Sequence, residues 1–176
     1  MAHIRIGYGY DTHALAEGRP LWLGGVRIEH THGLTGHSDA DVLIHAICDA
    51  LLGAAALGDI GQLFPDTDPQ WKDAGSAVFL EGAGNQLREA GYLIGNIDAT
   101  VLAEAPKLAP HVPAMRERLA ELLDLNTNQV SVKATRGEGM GPVGRAEAIA
   151  AQAVALVERQ FVPPLMEERG PQTSGR

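Results

Sequence analysis

Asp11 and His13 stand two residues apart beside a strand-like run near the N-terminus, and they are the first sign of chemistry in this chain. Side chains alternate along a strand, so a carboxylate and an imidazole at that spacing point to the same side. They form either a surface pair or two ligands in need of a third. His45 offers the third: it lies seven residues after Ser38, close to two helical turns, so both fall on one face of a helix there. Helical side chains lean toward the N-terminus, which brings His45 toward that end. Asp11, His13 and His45 would make an N2O set, the ligand type of a zinc site with an open fourth position. An open position lets the metal polarise a substrate oxygen as a Lewis acid. His30 and His32, in IEHTH, have the same spacing as the first pair, and spacing does not choose between them.

Other constellations suit phosphate. The start of a helix at GHSDAD presents unpaired N–H groups and a positive dipole end, with His37 and Ser38 as flanking donors. Simple capping by Ser38 or Asp39 explains the same residues equally well. Asp49 shares a helix face with His45 and is either a support for the metal or solvated. Asp59, Asp66 and Asp68 lie in acidic loops, GDIG and FPDTD, able to accept from substrate hydroxyls. Lys107 sits between prolines after a strand, where a stiff backbone could grip a ring or a phosphate. KATRGEG gathers Lys133, Thr135, Arg136 and Glu138, donors beside one carboxylate, a set that suits a phosphate with its bridging Mg²⁺.

These residues need elements to position them. A strand is expected over Ile4–Tyr8, and a hairpin in LWLGGVRIEH with Gly24-Gly25 as its two-residue turn. The strongest helix signal runs from Ser38 or Asp39 to about Leu57, with Asp39 and Asp41 in its first turn. GQLFPDTDPQWKDAG has the composition of a mobile loop. A helix follows from Ser76 to Gly91, then a strand over YLIGNIDATVLAE, an amphipathic helix after APKLAPHVP, and a strand at QVSVKAT. RGEGMGPVG reads as a glycine-rich loop and RAEAIAAQAVALVERQ as a last helix. Strands and helices mingle without a linker or repeat, so an α/β (α+β) single domain over residues 1–160 is expected, with a flexible tail over 161–176.

Composition narrows the classes. A formal charge of −8 argues against a nucleic-acid surface or an anionic-membrane binder. Any phosphate site must then be local. With 5% aromatic residues the core has to be built mainly from Ala, Val, Leu and Ile. The single cysteine, Cys48, rules out an intrachain disulfide and suits a reducing compartment. No apolar run approaches the roughly 20 residues that span a bilayer. The N-terminus lacks a secretory apolar core, so the cytoplasm is expected.

The order of these signals resembles one family closely. D-x-H, then HSDADVLIHAICDALLGAAALGDIGQLFPDTDP, APK, and KAT…E…G…GR.E are similar to the 2-C-methyl-D-erythritol 2,4-cyclodiphosphate synthases of the non-mevalonate isoprenoid pathway, over residues 4 to about 160. The resemblance implies a mixed β-sheet with helices packed on one face, assembling as a homotrimer with active sites between subunits. It implies conversion of 4-diphosphocytidyl-2-C-methyl-D-erythritol 2-phosphate to the cyclic diphosphate with release of CMP. Zinc would bind Asp11, His13 and His45, which leaves His30 and His32 without a ligand role. Mg²⁺ or Mn²⁺ with the substrate diphosphate would use Glu138.

By the same resemblance, Asp11, Thr12 and His13 border the substrate, and His37 and Ser38 bind phosphate, with His37 a catalytic candidate. Asp59, Ile60 and Gly61 match contacts to the methylerythritol hydroxyls. Phe64, Pro65, Asp66, Thr67 and Asp68 match a flexible loop that closes over the substrate. Ala103, Glu104, Ala105, Pro106, Lys107, Leu108 and Ala109, with Thr135, match the cytidine pocket and its phosphates, and Gly137 and Glu138 follow them. Arg136 stands where the family commonly has a second, catalytic threonine; an arginine there neutralises phosphate more strongly but places the donor differently. Pro142 lies in GPVGR, where a phenylalanine usually precedes the GR pair. Arg145 and Glu147 match residues lining a prenyl-phosphate site in the trimer cavity. Ala40 replaces the usual glycine of HSDGD, a change that a helix should welcome.

Two other readings use the same residues. A zinc-dependent phosphoester hydrolase would employ a metal-bound water and release a monoester. A non-catalytic zinc protein would close its site with a fourth protein ligand, usually cysteine.

Overall fold

The computed structural model describes residues 3–159 except 66, 72 and 73. Along the chain lie β1 (His3–Glu17), β2 (Leu21–Leu23), β3 (Val26–Ile28), β4 (His32–Leu34), α1 (Val42–Ala55), α2 (Ile60–Leu63) and α3 (Ala77–Glu89). They are followed by β5 (Tyr92–Leu102), α4 (Val112–Leu123), β6 (Val130–Thr135), α5 (Gly141–Gly144) and β7 (Ala148–Arg159). Five strands form a mixed sheet in the order β4-β1-β7-β5-β6, with only β5 and β6 parallel. The expected α/β single domain is therefore what forms. β2 and β3 pair separately with Leu23 opposite Val26, so Gly24 and Gly25 make the two-residue turn at φ of 61° and 73°.

β1 runs well past the expected end at Tyr8. It pairs with β7 from His3 to Ala14 and with β4 from Leu15 to Glu17, so Asp11 and His13 lie within a strand rather than at its end.

Of the expected last helix, from Arg145 to Gln160, Gln160 lies outside the described residues and Ala148–Arg159 instead form the central strand β7. Its alanines favour a helix intrinsically, but propensity is a weak prior that packing overrides. Burial along β7 alternates from Ala151 to Ala155, the period of a strand. The packing reason lies in α1, which crosses β1 and β7. A Cβ added at Gly7 would fall 1.9 Å from the Ala50 carbonyl oxygen, and one at Gly9 would fall 2.0 Å from that of Ala46. Ala151, Ala153 and Ala155 stand opposite Asp11, Gly9 and Gly7 and are buried. Small residues on both strands let the helix backbone settle against the sheet.

The start of α1 also differs from expectation. Its cap is Asp41, fully buried, which accepts from the backbone N–H of Ile44 at 3.1 Å, Gly24 at 2.9 Å and Gly25 at 2.7 Å. Burial raises the Asp41 pKa, against the three backbone hydrogen bonds that favour its charged form. Ser38 and Asp39 lie before the helix, and Ala40 is a buried left-handed residue at φ 57°. Ala40 therefore gains nothing from helix propensity; it occupies a conformation that suits glycine better. Of the N–H groups of the first turn of α1, that of Ile44 is taken by the Asp41 carboxylate, which the hairpin turn also meets.

α1 is buried at every position except His45, Asp49 and Gly53. Helices cover one face of the sheet. On the other, Ile4, Ile6, Tyr8 and Tyr10 of β1 and Val154 of β7 are between 42% and 69% exposed, an apolar face with Tyr8 directly opposite Val154.

Candidate active site

Asp11 and His13 share the α1 side of β1 with Gly7 and Gly9, and His45 meets them from the first turn of α1. Asp11 Oδ2 is 2.9 Å from His13 Nε2 and 2.9 Å from His45 Nδ1, and the two ring nitrogens are 3.2 Å apart. Ligands of a tetrahedral zinc at bonds of about 2.0–2.1 Å are separated by about 3.3 Å, so this donor set fits such an ion. Among the described residues these three form the only group of His, Cys, Asp and Glu able to share a metal. His30 and His32 have rings 5.9 Å apart, and His32 Nδ1 instead meets Thr31 Oγ1 at 2.9 Å.

The neighbours of His13 settle its tautomer. Its Nδ1 is 2.7 Å from the Thr35 carbonyl oxygen, which only accepts, so Nδ1 carries a proton and the neutral ring would present its Nε2 lone pair to a metal. Without metal, burial raises the Asp11 pKa, but hydrogen bonds and charge from His13 and His45 outweigh it and hold the carboxyl well below the usual carboxylate range. His13 is raised in turn by its hydrogen bond to Asp11.

A cavity of about 400 Å³ opens beside this cluster, with His37 and Ser38 on one side and Ile60, Gly61 and Phe64 on another. Its apolar wall is Phe64, Trp71 and Phe79, with ring centroids 4.8–5.8 Å apart. Two of the three phenylalanines and one of the two tryptophans of this aromatic-poor chain gather here. Asp59 caps α2 through the Gln62 N–H at 2.8 Å, and Asp49 accepts from the Ile60 N–H at 2.9 Å, so Asp49 holds the loop rather than the metal ligands. Pro65 and Thr67 are exposed, Asp68 accepts from the Gln70 N–H, and Asp66 lies outside the described residues, as does the tail after Arg159.

A second cavity, of about 430 Å³, shares no lining residue with the first. Ala103, Glu104, Pro106, Lys107, Leu108 and Ala109 line it from the loop after β5; Ala134, Thr135 and Arg136 line it from the end of β6. Ala105 lies between these wall residues. Arg136 donates to Glu104 through Nε at 3.1 Å and through Nη2. The pair pulls the Glu104 pKa down, while Glu104 Oε2 is buried with no hydrogen-bond partner. Gly137 begins the turn beyond, and Glu138 is exposed at φ 50°.

Other anticipated residues lie elsewhere in the single chain. Thr12 is on the opposite face of the sheet from Asp11, with its hydroxyl toward the Ile149 carbonyl. Pro142 is exposed in α5, and Arg145 pairs with Glu147 at 2.9 Å. Two residues of the first site had no functional sign in the sequence: Ser76, read only as a helix start, and Asp39, read only as a cap. They come together from segments 37 residues apart, a contact that no local pattern announces.

A mixed sheet with helices on one face carries, at the sheet–helix seam, an Asp-His-His set able to hold a metal ion beside one cavity, the arrangement of a metal-dependent enzyme. The model of the YgbB family matches residues 4–158. A protein from Synechococcus elongatus named 2-C-methyl-D-erythritol 2,4-cyclodiphosphate synthase is 58% identical over 159 residues, which cover 90% of this chain and 99% of that protein. A Bacillus velezensis protein of the same name is 56% identical over 89% of this chain and 99% of its own. A solved structure of 2C-methyl-D-erythritol-2,4-cyclodiphosphate synthase in a CDP-bound form superposes at TM-score 0.81 and 40% identity, covering 87% of this chain and 99% of that one. The chain belongs to the YgbB family.

Proposed function

We propose that the chain converts 4-diphosphocytidyl-2-C-methyl-D-erythritol 2-phosphate to 2-C-methyl-D-erythritol 2,4-cyclodiphosphate and CMP. An oxygen of the 2-phosphate attacks the β-phosphorus; the bond from that phosphorus to the bridging oxygen breaks, and CMP departs with the electron pair. The observation that carries the reading is the three-ligand set with an open side against a cavity, in a chain so similar to named synthases. Zinc held by Asp11, His13 and His45 supplies Lewis-acid polarisation of a phosphate oxygen. In such an intramolecular transfer, positioning and charge neutralisation carry most of the rate.

The chain's own residues divide that work. His37 and Ser38 donate to phosphate at the first cavity, and Asp59, Ile60 and Gly61 hold the hydroxyls of the methylerythritol. Phe64 and its loop exclude water from the reacting centre. Ala103–Ala109 receive the cytosine and ribose, with Lys107 and Thr135 on the phosphates. Arg136, held by Glu104 at the wall of the second cavity, neutralises the diphosphate from the cytidine side. Glu138 would hold a Mg²⁺ or Mn²⁺ ion, which would offset the charge of the diphosphate.

The proposal includes a homotrimer. It is supported by the uncovered apolar face of β1 and β7 and by two cavities that are separate in one chain and would adjoin across subunits. Thr12, Pro142, Arg145 and Glu147 then face neighbouring subunits or the central cavity. A cytoplasmic location belongs to the same reading and suits the one buried cysteine.

Phosphorus NMR of a reaction with the cytidyl diphosphate substrate, Zn²⁺ and Mg²⁺ tests it. The cyclic diphosphate and CMP are expected as the only products. A monoester product carrying an oxygen from water would replace this reading with the hydrolase.

A further inference from the structure

The two nitrogens of His45 face different partners. Nδ1 is turned toward Asp11 and His13, whereas Nε2 lies 3.0 Å from Ser76 Oγ and 3.4 Å from Ser38 Oγ. Ser76 is fully buried at the start of α3, the helix packed on the other side of α1. Its hydroxyl is 2.5 Å from Asp39 Oδ1, and its backbone N–H donates to Asp39 Oδ2 at 3.0 Å. The other hydroxyl beside it, Ser38 Oγ, lies 3.4 Å away and is neutral, a far weaker acceptor for its proton than the Asp39 carboxylate.

Proton counting gives this chain a direction. An ionised carboxylate only accepts, and a serine hydroxyl has one proton. Ser76 must give that proton to Asp39, which leaves a lone pair for His45. The contact is then a hydrogen bond only if His45 Nε2 carries hydrogen. A metal-bound imidazole is neutral and has one N–H, so with that hydrogen on Nε2 the lone pair of Nδ1 would be left for the ion shared with Asp11 and His13. We propose that Asp39 and Ser76 are positioning residues of the metal centre: their directional hydrogen bonds hold His45 in the tautomer and ring orientation that present Nδ1 to the ion. His13 obtains the complementary arrangement from the Thr35 carbonyl, so each histidine has one nitrogen anchored and the other free.

The inference rests on the zinc reading, and the experiment separates the two. Zinc affinity of the intact protein is measured by competition with a chelator for wild type, Ser76→Ala, Asp39→Asn and the double variant, with thermal unfolding of the zinc-free forms as the control for folding. Wild type should bind zinc tightly; failure to do so overturns the zinc reading itself. Ser76→Ala should raise Kd about 10- to 100-fold, the usual cost of losing an outer partner of a metal-bound histidine. Because Asp39 acts through Ser76, the double variant should bind no more weakly than Ser76→Ala alone. Nitrogen-15 NMR of zinc-loaded wild type should show His45 bound through Nδ1 with a slowly exchanging Nε2 proton, and faster exchange in Ser76→Ala. A Kd within twofold of wild type in a folded Ser76→Ala, additive losses in the double variant, or zinc on Nε2 would each overturn the proposal.

Discussion

Replacing Gly9 by alanine should dismantle the metal site without touching a ligand. Gly9 is two residues before Asp11 on the same side of β1, beneath α1. An alanine Cβ there would lie 2.0 Å from the Ala46 carbonyl oxygen and 2.8 Å from the Ala50 nitrogen, both backbone atoms that no rotamer change can move. Ordinary contact needs about 3.4 Å, so strand and helix must part by roughly 1 Å or more. Asp11 and His13 travel with the strand and His45 with the helix, across separations that are now 2.9–3.2 Å. A metal site tolerates displacements of about ±0.2 Å in its bonds, so a parting of 1 Å removes His45 from the shared ion. Overpacking a core seam also costs about 1–3 kcal/mol, several degrees of Tm in a chain of this size.

The assay pairs chelator-competition zinc titration with thermal unfolding of the zinc-free protein. Gly9→Ala should raise the zinc Kd by more than about 100-fold, beyond the loss expected for an outer partner alone, and lower Tm. Gly53→Ala provides the contrast on the same helix: an added Cβ there meets nothing within 4 Å, so helix propensity should stabilise it by up to about 1 kcal/mol with zinc binding intact. If Gly9→Ala bound zinc like wild type, the seam would not control the ligand spacing, and the reasoning would fail.

Three further outcomes follow from the same geometry. Arg136→Thr should raise the KM for the cytidyl substrate about tenfold with a smaller change in kcat, because it leaves the Glu104 carboxylate unpaired in the nucleotide cavity; adding Glu104→Gln should recover most of the loss, whereas a fall of more than about a hundredfold in kcat would make the arginine catalytic in its own right. Glu138→Gln should move the Mg²⁺ midpoint of turnover to higher concentration while leaving the zinc Kd unchanged, and an unmoved Mg²⁺ titration would remove Glu138 from that role. Asp41→Asn sets an amide N–H₂ against one of three buried backbone donors, so it should cost about 2–4 kcal/mol in urea unfolding, and a change below about 0.5 kcal/mol would show that those bonds do not support the fold.

What could be read from sequence was local. The period of two placed Asp11 and His13 on one side, and Gly24-Gly25 marked a hairpin, because both depend on residues next to one another. The helix start at GHSDAD was placed too early because Ser38 and Asp39, both good capping types, precede the true cap. Asp41 is the cap because it also receives the hairpin N–H groups, a tertiary contact with no local signature. Ala148–Arg159 was misread for a related reason: alanine favours helices when nothing else decides, and here the approach of α1 decided.

The same seam explains why the glycines of β1 matter beyond conformational freedom. Along the α1 side the strand reads Gly7, Gly9, Asp11, His13, and along the other Ile4, Ile6, Tyr8, Tyr10. The first two small residues bring the helix backbone into contact, and the next two use that closeness to share ligand space with His45. A bulkier residue at 7 or 9 would leave the ligands intact in type and spacing yet out of reach of one another. The chemistry of the site is thus set by residues with no functional groups, and a D-x-H pattern acquires meaning from the glycines that precede it.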